Sequence, residues 1–277
     1  MKPLATGKTK SIYPLEVAVP SKDIVTWGND KQAPMPGKAA WSTTTTANMF
    51  RVLKDASEEV AFSELLSSDT FAAPYCDMIK LEVVCRLVVE PGSSYLKRHP
   101  ITPIGVSLSD PIIEFFLKSS GRMFGGIPLP DDDPFVTRIN KGGLWVHHPG
   151  RSVNDKDCVF IPATIFGYEG DLEELSAELI ARTKSIGRVV RDAWARHGWH
   201  LGDFKIEFGV TWEGQILLAD VLDNDSWRLQ DPDGKERSKQ TIRDRSKRGD
   251  PLEEILAEAS INYALVAAMS DELVYAP

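Results

Sequence analysis

The sequence predicts a mixed α/β (α+β) protein with two lobes. Strand-like runs dominate the first third of the chain and helical periodicity the last third. The 277 residues are enough for one large domain or two lobes around a shared cleft. Hydrophobic residues make up 42% and charged residues 26%, the balance of an ordinary folded protein.

The first forty residues hold short strand-like runs, 11–15 and 23–27, broken by Pro and Gly. Residues 44–54 then predict a helix, with Met49, Phe50 and Leu53 at helical spacing. Residues 78–89 are rich in Val, Leu and Ile and predict one long strand or a strand pair. From 121 to 170 Gly, Pro and Asp are frequent, which predicts long loops with short strands such as 144–147 and 158–162. Leu172, Leu175, Leu179, Thr183, Ile186, Val190 and Ala193 trace one face of a helix, and Gly198 suits its C-terminal end. The last helix is expected to begin at Asp250-Pro251, with Asp250 as N-cap, Pro251 in the first turn and Glu253 completing a capping box.

The formal net charge of −8 argues against a nucleic-acid binder that works by broad phosphate neutralisation. Cys76, Cys85 and Cys158 are few and lack zinc spacing, the usage of a reducing compartment. Met1 to Lys10 has no apolar stretch of the signal-peptide kind. Nothing approaches the roughly 18 apolar residues of a membrane helix. A cytoplasmic protein that binds neither membrane nor nucleic acid is expected, with self-association left open.

Gly7-Lys8-Thr9 looks like the end of a P-loop, but that motif needs a Gly five residues earlier, where Lys2 stands, and a preceding strand that has no room here. What remains is a Gly- and Lys-containing turn before a strand. It can cover nucleotide phosphates, with Lys8 and Lys10 as point charges, or it can be a solvated terminus.

The most informative stretch runs from Gly202 to Arg228. Phe204, Ile206, Phe208 and Val210 alternate with Asp203, Lys205, Glu207 and Gly209, a period-two strand with one apolar and one charged face. A two-residue turn at Glu213-Gly214 would place Trp212 opposite Gln215 and Glu207 opposite Asp220. Facing carboxylates, with Cβ atoms about 4.5–5.5 Å apart, destabilise a sheet unless a cation joins them. Mg²⁺ suits such a pair, because it takes one or two carboxylates and completes its octahedron with phosphates and water. A slip of one residue would undo the pairing. The bland alternative is an exposed polar face of an edge hairpin.

Several separated motifs resemble those of the SAICAR synthetase family. They are Gly7-Lys8-Thr9-Lys10-Ser11-Ile12-Tyr13; Asp77-Met78-Ile79 through Glu82-Val83-Val84-Cys85-Arg86; and Gly92-Ser93-Ser94-Tyr95-Leu96-Lys97-Arg98. Asp203-Phe204-Lys205-Ile206-Glu207-Phe208-Gly209, Asp223 to Arg228, and Lys239-Gln240 with Arg243-Asp244 continue the match. The resemblance implies a fold related to the ATP-grasp enzymes, with antiparallel sheets flanked by helices and ATP in the cleft. It also implies a small β-rich lobe over ATP at 1–80 and a larger α/β lobe at 81–277. The implied reaction joins the carboxylate of carboxyaminoimidazole ribonucleotide (CAIR) to the amine of L-aspartate, with ATP giving ADP and phosphate.

By the same resemblance, Lys8 and Lys10 contact ATP phosphates, Met78 lies at the adenine hinge, and Lys118 is a further ATP-site lysine. Glu207 and Asp220 hold Mg²⁺. Arg86, Arg228 and either Ser93 or Ser94 bind the ribonucleotide, since an arginine fork matches phosphate and carboxylate in a bidentate way. Asp203 and Lys205 line the reacting end with Asp133, while Lys239 and Arg243 help to close the site. The segment 119–170 departs from the family pattern and is expected to be a lid or an oligomer contact. Adjacent His147 and His148 point to opposite faces of a strand and are expected to be packed or solvated. Two other readings stay open: a ligase with a different amine or acid, and a non-catalytic nucleotide binder.

Overall fold

Hydrophobic alternation becomes antiparallel sheet through most of the first two thirds of the chain. The computed structural model describes residues 5–6, 11–12, 15–28 and 31–275. Lys8 and Lys10 therefore lie outside the described residues.

In chain order the elements are β1 (Ala5–Thr6), β2 (Ser11–Ile12), β3 (Glu16–Pro20), β4 (Ile24–Trp27), β5 (Lys31–Pro34) and α1 (Lys38–Asp55). Next come β6 (Glu64–Ser67), β7 (Thr70–Pro74), β8 (Asp77–Val88), α2 (Ser94–Arg98), β9 (Ser107–Leu117), β10 (Met123–Phe124) and β11 (Ile127–Pro128). They are followed by β12 (Phe135–Asn140), β13 (Gly143–His147), β14 (Val159–Pro162), α3 (Ala163–Phe166) and α4 (Leu172–Ala195). The last are β15 (His200–Val210), β16 (Ile216–Ala219), β17 (Trp227–Gln230), α5 (Gln240–Arg248) and α6 (Leu252–Tyr275). No helix among the described residues is long and apolar enough to cross a membrane.

These elements form two compact units. One comprises Met1–Met78, Val189–Leu201 and Phe208–Pro277, and the other Ile79–Arg188 and Gly202–Glu207. The first change of unit comes after residue 78. The chain then returns to the first unit, so both units are discontinuous in sequence.

In the second unit the sheet runs β14-β13-β12-β9-β8-β15. The long strand expected at 78–89 is β8, one strand rather than two. Its register with β9 pairs Glu82 with Phe116, Val84 with Glu114 and Arg86 with Ile112. The segment 119–170 is less loop-like than its composition suggests. Its strands β12, β13 and β14 extend the same sheet antiparallel, with Phe135 opposite Phe116 and Leu144 opposite Ile161.

One face of β8, β9 and β15 is apolar and is covered by α4. Leu81, Val83, Cys85, Leu117, Phe204 and Ile206 are buried there, as are Leu175, Leu179 and Ile186 of the helix. Gly187 lets helix and sheet approach: a Cβ at this position would stand 2.9 Å from Cys85 Sγ and 3.4 Å from the Phe204 ring. Gly187→Ala should therefore lower stability despite the better helix former. Overpacking costs about 1–3 kcal/mol, against a helix gain of about 1 kcal/mol. A lower urea midpoint checks this, and an unchanged or higher one contradicts it.

In the first unit β3, β7 and β6 form a three-stranded sheet and β4 pairs with β5. The helix expected at 44–54 begins earlier, at Lys38. Asn48 of α1 donates to Ser270 Oγ (2.9 Å) and Asp271 Oδ1 (2.7 Å) of α6. Val25, Trp27, Met35, Ile242, Ile255 and Tyr263 close a core among β4, β5, α5 and α6. The helix expected at 172–193 is α4, which ends before Gly198 as predicted. The last helix starts where expected, but Asp250 does not cap it. The Pro251 carbonyl accepts from Ile255 N–H, while the Asp250 carboxylate is taken by Arg245 (2.6 Å) and Arg248 (3.2 Å).

The turn after β15 corrects another expectation. Thr211 N–H donates to the Gln215 carbonyl (2.9 Å) and Gly214 N–H to the Thr211 carbonyl (3.0 Å). Gly214 has φ 85°. This is a three-residue loop, a type I turn closed by a glycine bulge, rather than a two-residue turn. Thr211 instead of Trp212 faces Gln215, a shift of one residue. The turn therefore does not set up the direct Glu207–Asp220 pairing that a two-residue loop would create.

Candidate active site

A row of charge lies on the second unit's sheet, on the face opposite α4. Side chains two apart on a strand share a face, and directly paired residues of antiparallel strands do too. Glu82 and Arg86 of β8 thus stand with Glu114 of β9, and Asp203, Lys205 and Glu207 alternate along β15.

Lys118 follows β9, where its N–H donates to the Lys80 carbonyl (3.0 Å). Its ammonium lies 3.1 Å from Glu207 and 3.9 Å from Glu82. Lys205 reaches the same Glu82 at 2.6 Å. Burial pulls the Lys118 pKa down, but Glu207, then Glu82 and Asp133, outweigh it and hold the ammonium above its ordinary range. The result is two lysines interleaved with two carboxylates on one face. Asp133 is fixed beside them by a reciprocal pair of bonds: its Oδ1 accepts from Ser119 N–H (2.7 Å) and its N–H donates to Ser119 Oγ (3.0 Å). Its φ of 44° is uncommon for a residue with a side chain.

The Arg86 guanidinium is the buried end of the row. Its Nε donates to Glu114 (2.6 Å), its Nη1 to Asp203 (2.9 Å), and its Nη2 lies 3.4 Å from Ser94 Oγ. This geometry separates the two competing serines. Ser93 is 1% exposed and its hydroxyl caps α2 by accepting from Tyr95 N–H (3.2 Å), whereas Ser94 stands beside the arginine.

The first unit carries a second polar network. Lys38 from α1 pairs with Asp225 Oδ2 (3.1 Å), Lys239 lies 3.7 Å from Oδ1, and Tyr263 from α6 donates its hydroxyl to the same carboxylate. Lys239 also donates to Thr26 Oγ1 (3.2 Å). Burial pushes the Asp225 carboxyl up, but Lys239, Lys38 and Tyr263 hold it below the usual range. Burial and the neighbouring Asp225 push Asp223 up instead, and Tyr263 is raised well above its ordinary value by burial and Asp225.

Of the expected site residues, the structure brings together Arg86, Ser94, Lys118, Asp133, Asp203, Lys205 and Glu207 in the second unit. Met78, Asp220, Arg228, Lys239 and Arg243 belong to the first. There Met78 Sδ packs near Gly209, Asp220 is exposed with φ 62°, and Arg243 Nη1 reaches Gln240 (3.4 Å). Arg228 is half-buried on β17, its charge acting on Glu236.

Sequence reasoning gave no role to Glu82, Glu114, Arg98, Lys38 or Asp225. Glu82, Arg98 and Asp225 stood inside quoted motifs; nothing local marked Lys38 or Glu114. His147 is buried, with Nδ1 3.0 Å from the His148 carbonyl, and His148 Nε2 lies 3.3 Å from Asp131, a packed pair as expected. Among the described residues no group of three or more His, Cys, Asp or Glu is placed to hold a metal ion. A hard cation meeting one or two carboxylates, its remaining ligands drawn from phosphates and water, is what this donor set can serve.

The sequence model of the SAICAR synthetase family matches residues 3–122 and 153–258, and the stretch between them holds β12 and β13 but not β14. The human bifunctional phosphoribosylaminoimidazole carboxylase/phosphoribosylaminoimidazole succinocarboxamide synthetase is 33% identical over 253 residues, 88% of this chain and 52% of that protein. The phosphoribosylaminoimidazole-succinocarboxamide synthase of Roseiflexus sp. (strain RS-1) is 31% identical over 240 residues, 84% of this chain and 82% of that protein. The chain spans about half the length, or less, of the multifunctional relatives it matches. A solved SAICAR synthetase (Type-2) in complex with ADP shares the fold, with TM-score 0.63 at 24% identity over 94% of this chain and 96% of that one. With more than half its length matched by the family model, the chain belongs to the SAICAR synthetase family.

Proposed function

We propose that the protein is an ATP-dependent carbon–nitrogen ligase of purine biosynthesis, a phosphoribosylaminoimidazole-succinocarboxamide synthase acting in the cytoplasm. It joins CAIR to L-aspartate and releases ADP and phosphate. The carrying observation is the interleaved row Lys118–Glu207 and Lys205–Glu82 beside the Arg86–Asp203 pair, in a family one of whose solved members is in complex with ADP.

A carboxylate acylates poorly. Transfer of the γ-phosphoryl group of ATP to the CAIR carboxylate releases ADP and leaves an acyl phosphate. The free amine of L-aspartate then attacks that carbonyl, phosphate leaves, and the amine's proton is lost. Phosphoryl transfer is mainly positioning and charge neutralisation. Lys118, held protonated by its carboxylates, and Lys205 supply positive charge at the γ-phosphoryl group, with Lys8 and Lys10 assigned to the other phosphates and Met78 to the adenine. Glu207 and Asp220 are the carboxylates proposed for Mg²⁺. When bound, the ion supplies charge neutralisation on the phosphates. Asp203 and Asp133 flank the reacting end, and Asp203 accepts from Arg86 Nη1. Arg86, Ser94, Arg228, Lys239 and Arg243 hold the ribonucleotide and its carboxylate.

ADP release with Mg-ATP, CAIR and L-aspartate, each omitted in turn, tests the reading. Release that needs all of them supports it. Release with another amine would change the substrate, and ATP binding without release would leave a nucleotide binder. The two serines give a finer check. Ser94→Ala should weaken CAIR with stability unchanged, whereas Ser93→Ala should cost about 1 kcal/mol through the lost cap. Steady-state KM for CAIR and urea melts separate them, and the reverse assignment of effects would exchange their roles.

A further inference from the structure

We propose that Glu114 is a positioning residue for the ribonucleotide, fixing two arginine forks with one buried carboxylate. The proposal rests on the ligase reading above. Glu114 is 5% exposed. Its Oε2 accepts from Arg86 Nε at 2.6 Å, and its Oε1 pairs with Arg98 Nη2.

The second fork is held from the central segment. Arg98 Nη1 donates to the Pro149 carbonyl, and its guanidinium lies 4.2 Å from the centre of the Phe135 ring. Phe135 and Pro149 both fall in the stretch that the family match skips. This unmatched stretch therefore bears on Arg86 through Arg98 and Glu114. This gives the segment a part in the substrate site other than that of a lid.

A buried set of four charges is a weak way to stabilise a core, because desolvation offsets the Coulomb attraction and apolar packing of like volume does as well. Its value here is geometric. The Nε bond to Glu114 sets the plane of the Arg86 fork, and the Nη1 bond to Asp203 fixes its rotation about that plane. The remaining N–H donors are then presented on the side of Ser94, the geometry that a phosphate or carboxylate needs from an arginine. With Glu114 neutral, Arg86 keeps its charge and loses its aim.

Glu114→Gln keeps the shape and removes the charge. We expect KM for CAIR to rise by about tenfold or more while KM for ATP stays within about twofold. Glu114→Asp, which restores the charge, should recover part of the loss. Unchanged KM for CAIR, or an equal loss toward both substrates, would overturn the proposal. Should Glu114→Gln not fold, Arg98→Lys decides: it retains the charge without the fork, and an unchanged KM for CAIR there overturns the proposal equally. Wild-type protein that does not consume CAIR would instead sink the ligase reading, a result distinguishable from either outcome.

Discussion

Glu207→Gln is expected to lower Mg-ATP-dependent ADP release by about 100-fold or more, the scale seen when one preorganised charge-stabilising group is removed from an active site. Two effects combine. The carboxylate proposed to meet the nucleotide's cation is lost, and Lys118 loses the partner that contributes most to keeping it charged. The substitution is nearly isosteric, and the Glu207 side chain is 17% exposed, so the melting temperature should hold to within about 2 °C, as for most substitutions outside a packed core. ADP release at varied Mg²⁺, read beside a thermal melt, checks both halves. Turnover near the wild-type rate at ordinary Mg²⁺ would take Glu207 out of the chemistry. A collapse of the melt together with turnover would make its role structural.

Asp225→Asn should show the opposite balance, with its largest effect on stability. The side chain is the shared counter-charge of Lys38 and Lys239 and the acceptor for Tyr263. Both lysines are under 10% exposed, so neutralising Asp225 leaves two buried ammonium groups without their carboxylate. Breaking a buried pair in this way costs about 3–5 kcal/mol, or roughly 6–15 °C in melting temperature for a chain of this size.

The pH dependence of that difference follows from the sign of the shift. The Asp225 pKa is lower in the folded protein than the ordinary value of an aspartate, about 3.9. Its stabilising contribution is therefore fully present above about pH 4 and is lost as pH falls through the folded value. The gap between wild type and Asp225→Asn should be widest near neutrality and should narrow below about pH 4. Urea midpoints at pH 7 and pH 3.5 measure it. A gap that does not change with pH would show that packing, not charge, accounts for the loss. Asp223 and Glu236, whose carboxyls burial raises, act in the other direction. Each favours the protonated form, so their contribution weakens as pH rises past the ordinary carboxyl range.

Much of the site was legible before any coordinates. The alternation from Asp203 to Val210 fixes which side chains share a face, because side-chain direction along a strand has period two whatever the strand pairs with. The seven apolar or small positions from Leu172 to Ala193 fix the buried stripe of α4 for the same reason at period 3.6. The spaced motifs identified the family, and with it the residue types the chemistry needs.

What the sequence could not decide was register and long-range partnership. Glu213-Gly214 marks a turn, yet whether two or three residues close it depends on the backbone hydrogen bonds of Thr211, and that single residue decides what faces what across the hairpin. Glu82 meets Lys205 from 123 positions away, and Asp225 collects partners from α1, α6 and the start of α5. No local pattern encodes such meetings, because they arise only when separate elements pack. The Gly, Pro and Asp content of 121–170 left the short strands at 144–147 and 158–162 readable, as β13 and β14, but hid β12 and the sheet that all three extend, since composition reports where a chain can turn and not what it pairs with between turns. The sequence alone thus determined the family, the faces and the charged residues. Tertiary structure decided the register, the return of the chain to its first unit and the carboxylates that aim the cations, because each rests on which distant backbone and side-chain groups meet.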